Sequence, residues 1–194
     1  MANTESIKEL RSRTGAGIVD SKKALDESGG DIEKAITWLR QKGKASAAKK
    51  ASRATHEGYI ASYIHTNGKV GVIVSLLCET DFVARTERFQ QLARDIALHI
   101  AAMDPVAVRP VDFSAEAIES ERAIALEQAA QSGKPAAIQE KIVAGKIKTF
   151  TEERSLLTQK FVKDPNKTIA DLIHEAVSEI GENISVGGFS RLTI

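Results

Sequence analysis

An Asn67-Gly68 pair stands between two strand-like stretches, and it limits the folds open to this chain more than any other feature. Residues 59–65 alternate apolar and polar side chains, and residues 69–78 form an apolar run that can return beside them. Asn and Gly both tolerate the positive φ of a tight turn. The pair therefore predicts an antiparallel β-hairpin.

The rest of the C-terminal part reads as helices and one further strand. Apolar residues recur at helical spacing over residues 83–103, and Asp104-Pro105 predicts the end of that helix, because proline cannot continue it. An amphipathic helix is predicted over residues 169–180, and a closing strand over residues 184–194. Gly187-Gly188 should bend or bulge this strand. Three antiparallel strands packed on helices predict an α+β fold.

A helical hairpin is predicted at about residues 115–148. Residues 115–131 and 136–148 have helical patterns, and Gly133 and Pro135 suit the end of the first helix and the start of the second. The apolar residues expected along its seam are Ile118, Leu126, Ile138 and Ile142.

Residues 1–40 read as a domain of three short helices. Thr4 is a plausible cap of the first helix, Gly29-Gly30 stops the second, and Asp31 caps the third. Residues 40–56 then contain six basic residues and no acidic one, with alanines that favour a helix. We therefore expect a basic helical linker over residues 41–56 and a core domain over residues 57–194. The simplest interpretation of these basic residues is that they form a solvent-exposed face of the linker helix, and RNA binding is the alternative.

Composition narrows the class of protein. The 194 residues include 27 Lys and Arg against 26 Asp and Glu, so no overall field favours nucleic acid or an anionic membrane. The single cysteine, Cys78, excludes an internal disulfide and fits a reducing compartment. No apolar run approaches the roughly 18 residues of a membrane span, and the N-terminus lacks an apolar signal region. These features predict a soluble cytoplasmic protein without membrane association.

Motifs for metal binding or catalysis are not found. The four histidines are far apart in the sequence, and Cys78 has no partner at zinc spacing. There is no phosphate-cradling loop followed by Lys-Ser/Thr and no nucleophile elbow. We expect no cofactor, no direct nucleic-acid binding and no enzymatic activity.

The segment Thr80-Asp81-Phe82-Val83-Ala84-Arg85 lies at the corner between the hairpin and the next helix. Thr80 or Asp81 can cap the first helical turn. Phe82 has two interpretations: it is a core residue behind an ordinary cap, or it stands near the tip of an element and enters another protein's surface.

This segment resembles the signature of the translation elongation factor Ts family, the nucleotide-exchange factors of the GTPase EF-Tu. Three further motifs resemble the family's N-terminal domain, and a fourth resembles its core. They are Arg13-Thr14-Gly15-Ala16-Gly17-Ile18, Lys22-Lys23-Ala24-Leu25, Gly30-Asp31-Ile32-Glu33-Lys34-Ala35 and Gln131-Ser132-Gly133-Lys134-Pro135. The resemblance covers essentially the whole chain. It implies a ubiquitin-associated (UBA) type of N-terminal domain and guanine-nucleotide exchange on EF-Tu·GDP.

The resemblance also implies a mechanism and its residues. Thr80, Asp81, Phe82 and Val83 would act near the Mg²⁺ site of EF-Tu, with Phe82 as a wedge and Asp81 disfavouring the returning phosphate. His65 is a secondary candidate, and a solvated turn residue is its alternative interpretation. The further candidates for docking, around the first loop, are Leu10, Arg13, Ile18 and Val19.

Longer members of this family carry two related lobes in the core, whereas this chain has one. It resembles the short form, in which two chains together supply both lobes, so we expect a homodimer. A sheet surface or the C-terminal strand region is the expected interface, and the helical hairpin is the alternative. Two other classes stay open: a protein- or RNA-binding adaptor, and a structural assembly protein built on the helical hairpin.

Overall fold

The fold is taken from a computed structural model that describes residues 3–131 and 133–194. Ser132, which belongs to the predicted turn of the helical hairpin, lies outside the described residues. The described residues form the predicted α+β fold, with a three-stranded antiparallel sheet and a second, two-stranded sheet.

Three helices form the N-terminal part: α1 (Thr4–Thr14), α2 (Ile18–Glu27) and α3 (Ile32–Lys50). The cap of α1 was predicted one residue too late, because the Asn3 side chain accepts a 2.7 Å hydrogen bond from the Ser6 amide. Asp31 caps α3 as predicted, accepting from the Lys34 amide at 3.0 Å. The likeness of these helices to a UBA domain stays a prediction.

The third helix does not end with the predicted three-helix domain near residue 40, but continues to Lys50. It packs along α8 (Ile169–Ile180), where Gly43 lies against the His174 backbone. Ala47, one turn further on, is buried in the main core. The predicted linker is therefore partly the end of α3, while the division into three segments stays a prediction.

Several basic residues of this region are engaged by acidic partners. Lys44 lies 3.0 Å from Asp171 of α8, and Lys42 lies 2.5 Å from Asp20 of α2. Arg53 lies 3.4 Å from Glu79. The first two pairs join α3 to α8 and α2, so the basic run is more than a freely solvated face.

Strands β1 (Glu57–Ile64), β2 (Val70–Cys78) and β5 (Ser185–Thr193) form the antiparallel sheet in the order β1-β2-β5. The predicted hairpin is confirmed, but its turn differs: Gly68 has a φ of +68°, and Asn67 instead uses its side chain to accept from the Lys69 amide at 2.9 Å. The predicted bulge is at Gly187, which the register skips. A Cβ there would lie 2.8 Å from the Ser75 hydroxyl, so a larger residue at this position would require the Ser75 side chain to move.

The helix predicted over residues 83–103 is two helices, α4 (Asp81–Ala84) and α5 (Glu87–Met103). Thr86 interrupts the pattern, because its hydroxyl accepts from the Phe89 amide and starts a new helix. The helix α5 packs on β1 and β2, and Phe89 is fully buried beneath the sheet.

The helical hairpin consists of α6 (Ala115–Ala130) and α7 (Ala136–Glu153), flanked by short 3₁₀ turns at Pro110–Asp112 and Leu156–Thr158. Of the predicted seam, Ile142 packs against the buried cluster and Ile118 is half-buried, whereas Leu126 and Ile138 are largely exposed. Small residues form the seam instead: Ala125, Ala129 and Val143. Strands β3 (Lys160–Phe161) and β4 (Asp164–Thr168) form the second sheet and lead into α8.

Candidate partner-binding site on helix α4

The short helix α4 places one large apolar side chain in solvent. Phe82 is 78% exposed, whereas Ala84 is buried and Val83 packs against the main core. The inner face of α4 is thus attached to the core while Phe82 points away from it. This exposure excludes the interpretation of Phe82 as a core residue.

Thr80 caps α4 and also anchors it to a distant part of the chain. Its hydroxyl accepts from the Val83 amide at 3.4 Å and donates to Glu182 Oε1 at 2.6 Å. Glu182 Oε2 accepts from the backbone amides of Glu79 and Thr80, each at 3.1 Å. The loop between α8 and β5 therefore holds the corner at which β2 becomes α4.

Glu79 returns the same kind of contact. Its Oε1 accepts from the Asn183 amide at 2.6 Å and lies 3.4 Å from the Arg53 guanidinium. The Asn183 hydrogen bond is the main cause that holds the pKa of Glu79 below its ordinary value; desolvation opposes it, and the Arg53 interaction adds to it. Glu182 thus binds the corner between β2 and α4, and Glu79 of that corner binds the loop that carries Glu182. Arg53 links this pair of contacts to the end of the N-terminal helices.

Asp81 begins α4 and pairs with Arg85, one turn later, at 2.8 Å. Both side chains are substantially exposed, Asp81 at 43% and Arg85 at 78%. An exposed i,i+4 pair contributes only a few tenths of a kcal/mol, roughly 0.3–0.5. The Asp81 carboxylate can therefore exchange this partner for another at little cost.

Cys78 lies directly beneath the corner and is fully buried. Burial, together with the charge of Glu182, raises the pKa of its thiol to about 11. Its Sγ donates to the Thr80 carbonyl at 3.2 Å. Cys78 is therefore a neutral packing residue with low nucleophilicity at physiological pH.

The other predicted contact residues occupy different places. His65 is exposed at the hairpin turn, where its Nδ1 lies 3.1 Å from the Tyr63 hydroxyl. The length of β2 separates this turn from α4, roughly 25 Å at 3.3 Å per residue. The structure therefore does not bring His65 to the Thr80–Val83 segment.

The first loop carries a separate apolar surface. Ile18 and Val19, in the first turn of α2, are 59% and 78% exposed, and Arg13 pairs with Glu33 at 2.6 Å. Leu10 is fully buried among the three helices, so its assignment as a docking residue is wrong. Its helical spacing with Ile7 marks the core side of α1 instead.

Among the described residues, no His, Cys, Asp and Glu side chains form a group of three or more that could hold a metal ion. Over the same residues, no helix has the length and apolar character that a membrane span requires.

Residues 19–194 match the family model described as Elongation factor TS. The Elongation factor Ts of Thermosipho melanesiensis is 55% identical over the whole chain and 99% of that relative. That of Solidesulfovibrio magneticus is 53% identical over 97% of the chain and 94% of the relative, and that of Rubrobacter xylanophilus is 53% identical over 96% of each.

With its α+β fold and full-length similarity to these proteins, the chain falls in the class of translation elongation factors. It belongs to the elongation factor Ts family. The chain covers 94–99% of these three relatives' own length, and the single-lobed form stays a prediction.

Sequence reasoning missed Glu182 and Asn183 entirely. Glu182 lies 102 residues from Thr80, and an acidic residue in a loop before a strand has no pattern that indicates such a contact. No signal was available at α4 either, because the sequence predicted one continuous helix there rather than a four-residue helix that needs anchors outside itself.

Proposed function

We propose that this chain is a guanine-nucleotide exchange factor that binds EF-Tu·GDP, disturbs its Mg²⁺ and phosphate site through Thr80–Val83, and promotes the replacement of GDP by GTP. The proposal deepens the family assignment and involves no covalent chemistry. The observation that carries it is the exposure of Phe82 on an otherwise anchored helix.

The exposed ring gives the proposal its driving force. A phenylalanine side chain that is 78% exposed presents about 150 Å² of apolar surface to water. Its complete burial in a partner would contribute up to about 4 kcal/mol at about 25 cal/mol per Å². A ring inserted between helices of the GTPase can thus offset part of the cost of displacing them.

Exchange requires differential affinity. A GTPase holds its nucleotide through backbone amides and a Mg²⁺ that bridges phosphate and a hydroxyl side chain. The factor must bind the nucleotide-free state better than the nucleotide-bound state, because a ligand that binds both equally shifts nothing. Phe82 would displace the elements that hold metal and phosphate, and Asp81 would disfavour phosphate return by like charge.

A second docking surface is proposed at the first loop. Ile18 and Val19 expose apolar side chains there, and Arg13 lies nearby in the preceding helix. Charged and apolar contacts at this loop, which is separate from α4, would raise the affinity for EF-Tu without acting on the nucleotide. His65 is proposed as a separate contact at the far end of the hairpin.

We further propose that two chains form a two-fold dimer through the outer face of the sheet. This face carries four apolar side chains that are each more than half exposed: Ile60, Ile64, Ile73 and Leu192. They share one face of the sheet, since the register places Ser62 opposite Ile73 and Gly71 opposite Leu192. Such a patch is typical of an interface, and a dimer would supply the second lobe. The helical hairpin remains the alternative interface.

The proposed setting is the cytoplasm, with EF-Tu as the partner and no cofactor. RNA binding is not favoured as a second function, since Lys42, Lys44 and Arg53 of the basic run already face carboxylates.

The test is release of a fluorescent GDP from EF-Tu in a stopped-flow instrument, with and without this protein. We expect a large acceleration by the parent and little by Phe82→Ala. Val111→Ala is the matched control, since Val111 is a similarly exposed apolar residue, at 80%, on the 3₁₀ turn before the helical hairpin. No acceleration by the parent, or equal rates for Phe82→Ala and the parent, would contradict the proposal.

A further inference from the structure

Helix α4 has only four residues, from Asp81 to Ala84. An isolated helix of this length is not stable, because a single turn fixes several backbone angles for very few hydrogen bonds. The orientation of α4, and hence of Phe82, must therefore come from contacts with the rest of the molecule.

Glu182 supplies the polar part of these contacts. Both carboxylate oxygens are directed at the corner: Oε2 accepts from two consecutive backbone amides, and Oε1 accepts from the Thr80 hydroxyl. Hydrogen bonds to an ionised acceptor are about twice as strong as neutral ones. Thr80 in turn holds the Val83 amide, so the chain of contacts runs from Glu182 into the body of α4.

The position of Glu182 makes these contacts rigid. It follows Gly181, which ends α8 with a φ of +92°, and it precedes Asn183, whose amide is bound by Glu79. The corner is thus held from both sides between a core helix and a core strand. Glu182 is bonded to α4's entry rather than to its exposed outer face.

We propose that Glu182 is a positioning residue for nucleotide exchange: it fixes the direction in which α4 presents Phe82 to the GTPase without itself touching that partner. This inference rests on the proposed exchange function. Removal of the carboxylate takes away three hydrogen bonds at the entry to α4, while the apolar contacts of Val83 and Ala84 and the Glu79 bond to Asn183 persist. Helix α4 is then held less firmly, so Phe82 samples more directions. A wedge that is held in place loses less freedom on insertion than a mobile one.

The first test compares Glu182→Ala and Glu182→Gln in the stopped-flow assay at saturating factor. Alanine removes all three hydrogen bonds, and we expect GDP release to slow by about tenfold or more, since a small displacement of a positioned side chain can cost up to about a hundredfold in rate. Apparent affinity should change far less, because the docking surfaces persist. Glutamine should restore most of the rate, since its oxygen can accept from both amides while its NH₂ donates to Thr80. Glu119→Ala, which removes an exposed carboxylate of α6, should match the parent.

The second test separates positioning from general stability. In a Phe82→Ala background, Glu182→Ala should cause no further loss of maximal rate, because there is no ring left to position. Multiplicative losses in the double variant would overturn the proposal. Hydrogen exchange at the Glu79 and Thr80 amides should be faster in Glu182→Ala, and unchanged protection would also overturn it.

The outcomes also separate this inference from the function on which it rests. A parental rate for Glu182→Ala, alongside a slow Phe82→Ala, would refute the positioning role and leave exchange intact. A parent that does not accelerate GDP release would refute the function itself. If Glu182→Ala does not fold, Glu182→Asp keeps the charge but shortens the reach by one methylene. Glu182→Asp should slow exchange in the parent and should cause no further slowing in the Phe82→Ala background.

Discussion

Truncation of Phe82 should separate the stability of this protein from its activity. Because the ring is 78% exposed, only about 45 Å² of its surface is buried in the free protein. At about 25 cal/mol per Å², Phe82→Ala should lower the free energy of unfolding by about 1 kcal/mol. For a chain of this size that corresponds to a shift of about 2–4 °C in the melting temperature.

Phe89→Ala is the matched comparison, since Phe89 lies seven residues later and is fully buried in the core. Loss of a buried phenylalanine costs about 3–5 kcal/mol. The two variants should therefore rank in opposite orders in denaturant unfolding and in GDP release. Phe82→Ala should be nearly as stable as the parent but slow in exchange, whereas Phe89→Ala should be strongly destabilised. A Phe82→Ala protein that unfolds as readily as Phe89→Ala, or that exchanges at the parental rate, would refute the reasoning.

Three further predictions concern other surfaces and the pH dependence. The double variant Ile18→Ser/Val19→Ser should melt like the parent, because both residues are exposed, but should bind EF-Tu more weakly in calorimetry; unchanged affinity would remove this surface from the proposal. Ile73→Lys should convert a dimer into monomers in sedimentation, since it places a charge in the centre of the exposed sheet face; a parent that is already monomeric at tens of micromolar would contradict the dimer. Burial lowers the pKa of His99 below its ordinary 6.5, and it is also the main reason that the pKa of His174 is lowered. Below pH 6.5 the unfolded chain therefore binds protons at these histidines more readily than the folded protein does. Their contribution to the free energy of unfolding is complete above pH 6.5 and is lost as the pH falls further. Denaturant unfolding should show this decline, and equal stability at pH 7 and pH 5 would contradict it.

Local sequence signals predicted much of the fold correctly. Asp31 caps α3 through an amide three residues later, and Asp104-Pro105 ends α5 directly before it, so their effects can be read from a short window. The α+β fold follows from the same local patterns, because each strand and helix must bury its apolar face. Helix α4 was harder, since Thr86 starts a new helix where apolar spacing suggests continuity.

Contacts between distant segments could not be predicted in this way. Periodicity marks Leu10 and Ile18 equally as apolar, but only packing decides that Leu10 is buried and Ile18 exposed. Continuation of α3 to Lys50 depends on α8, which offers Asp171 to Lys44. The exposure of Phe82 likewise depends on the whole corner, including Glu182, rather than on the six residues of its motif.

The central claim is that this chain favours one nucleotide state of EF-Tu over another. Its most direct test is calorimetric titration of the chain into nucleotide-free EF-Tu and into EF-Tu saturated with GDP and Mg²⁺. The account predicts much tighter binding to the nucleotide-free form, and, by reciprocity, an equal weakening of GDP binding by the chain. Equal affinity for both forms would contradict it, because such binding could not promote nucleotide release.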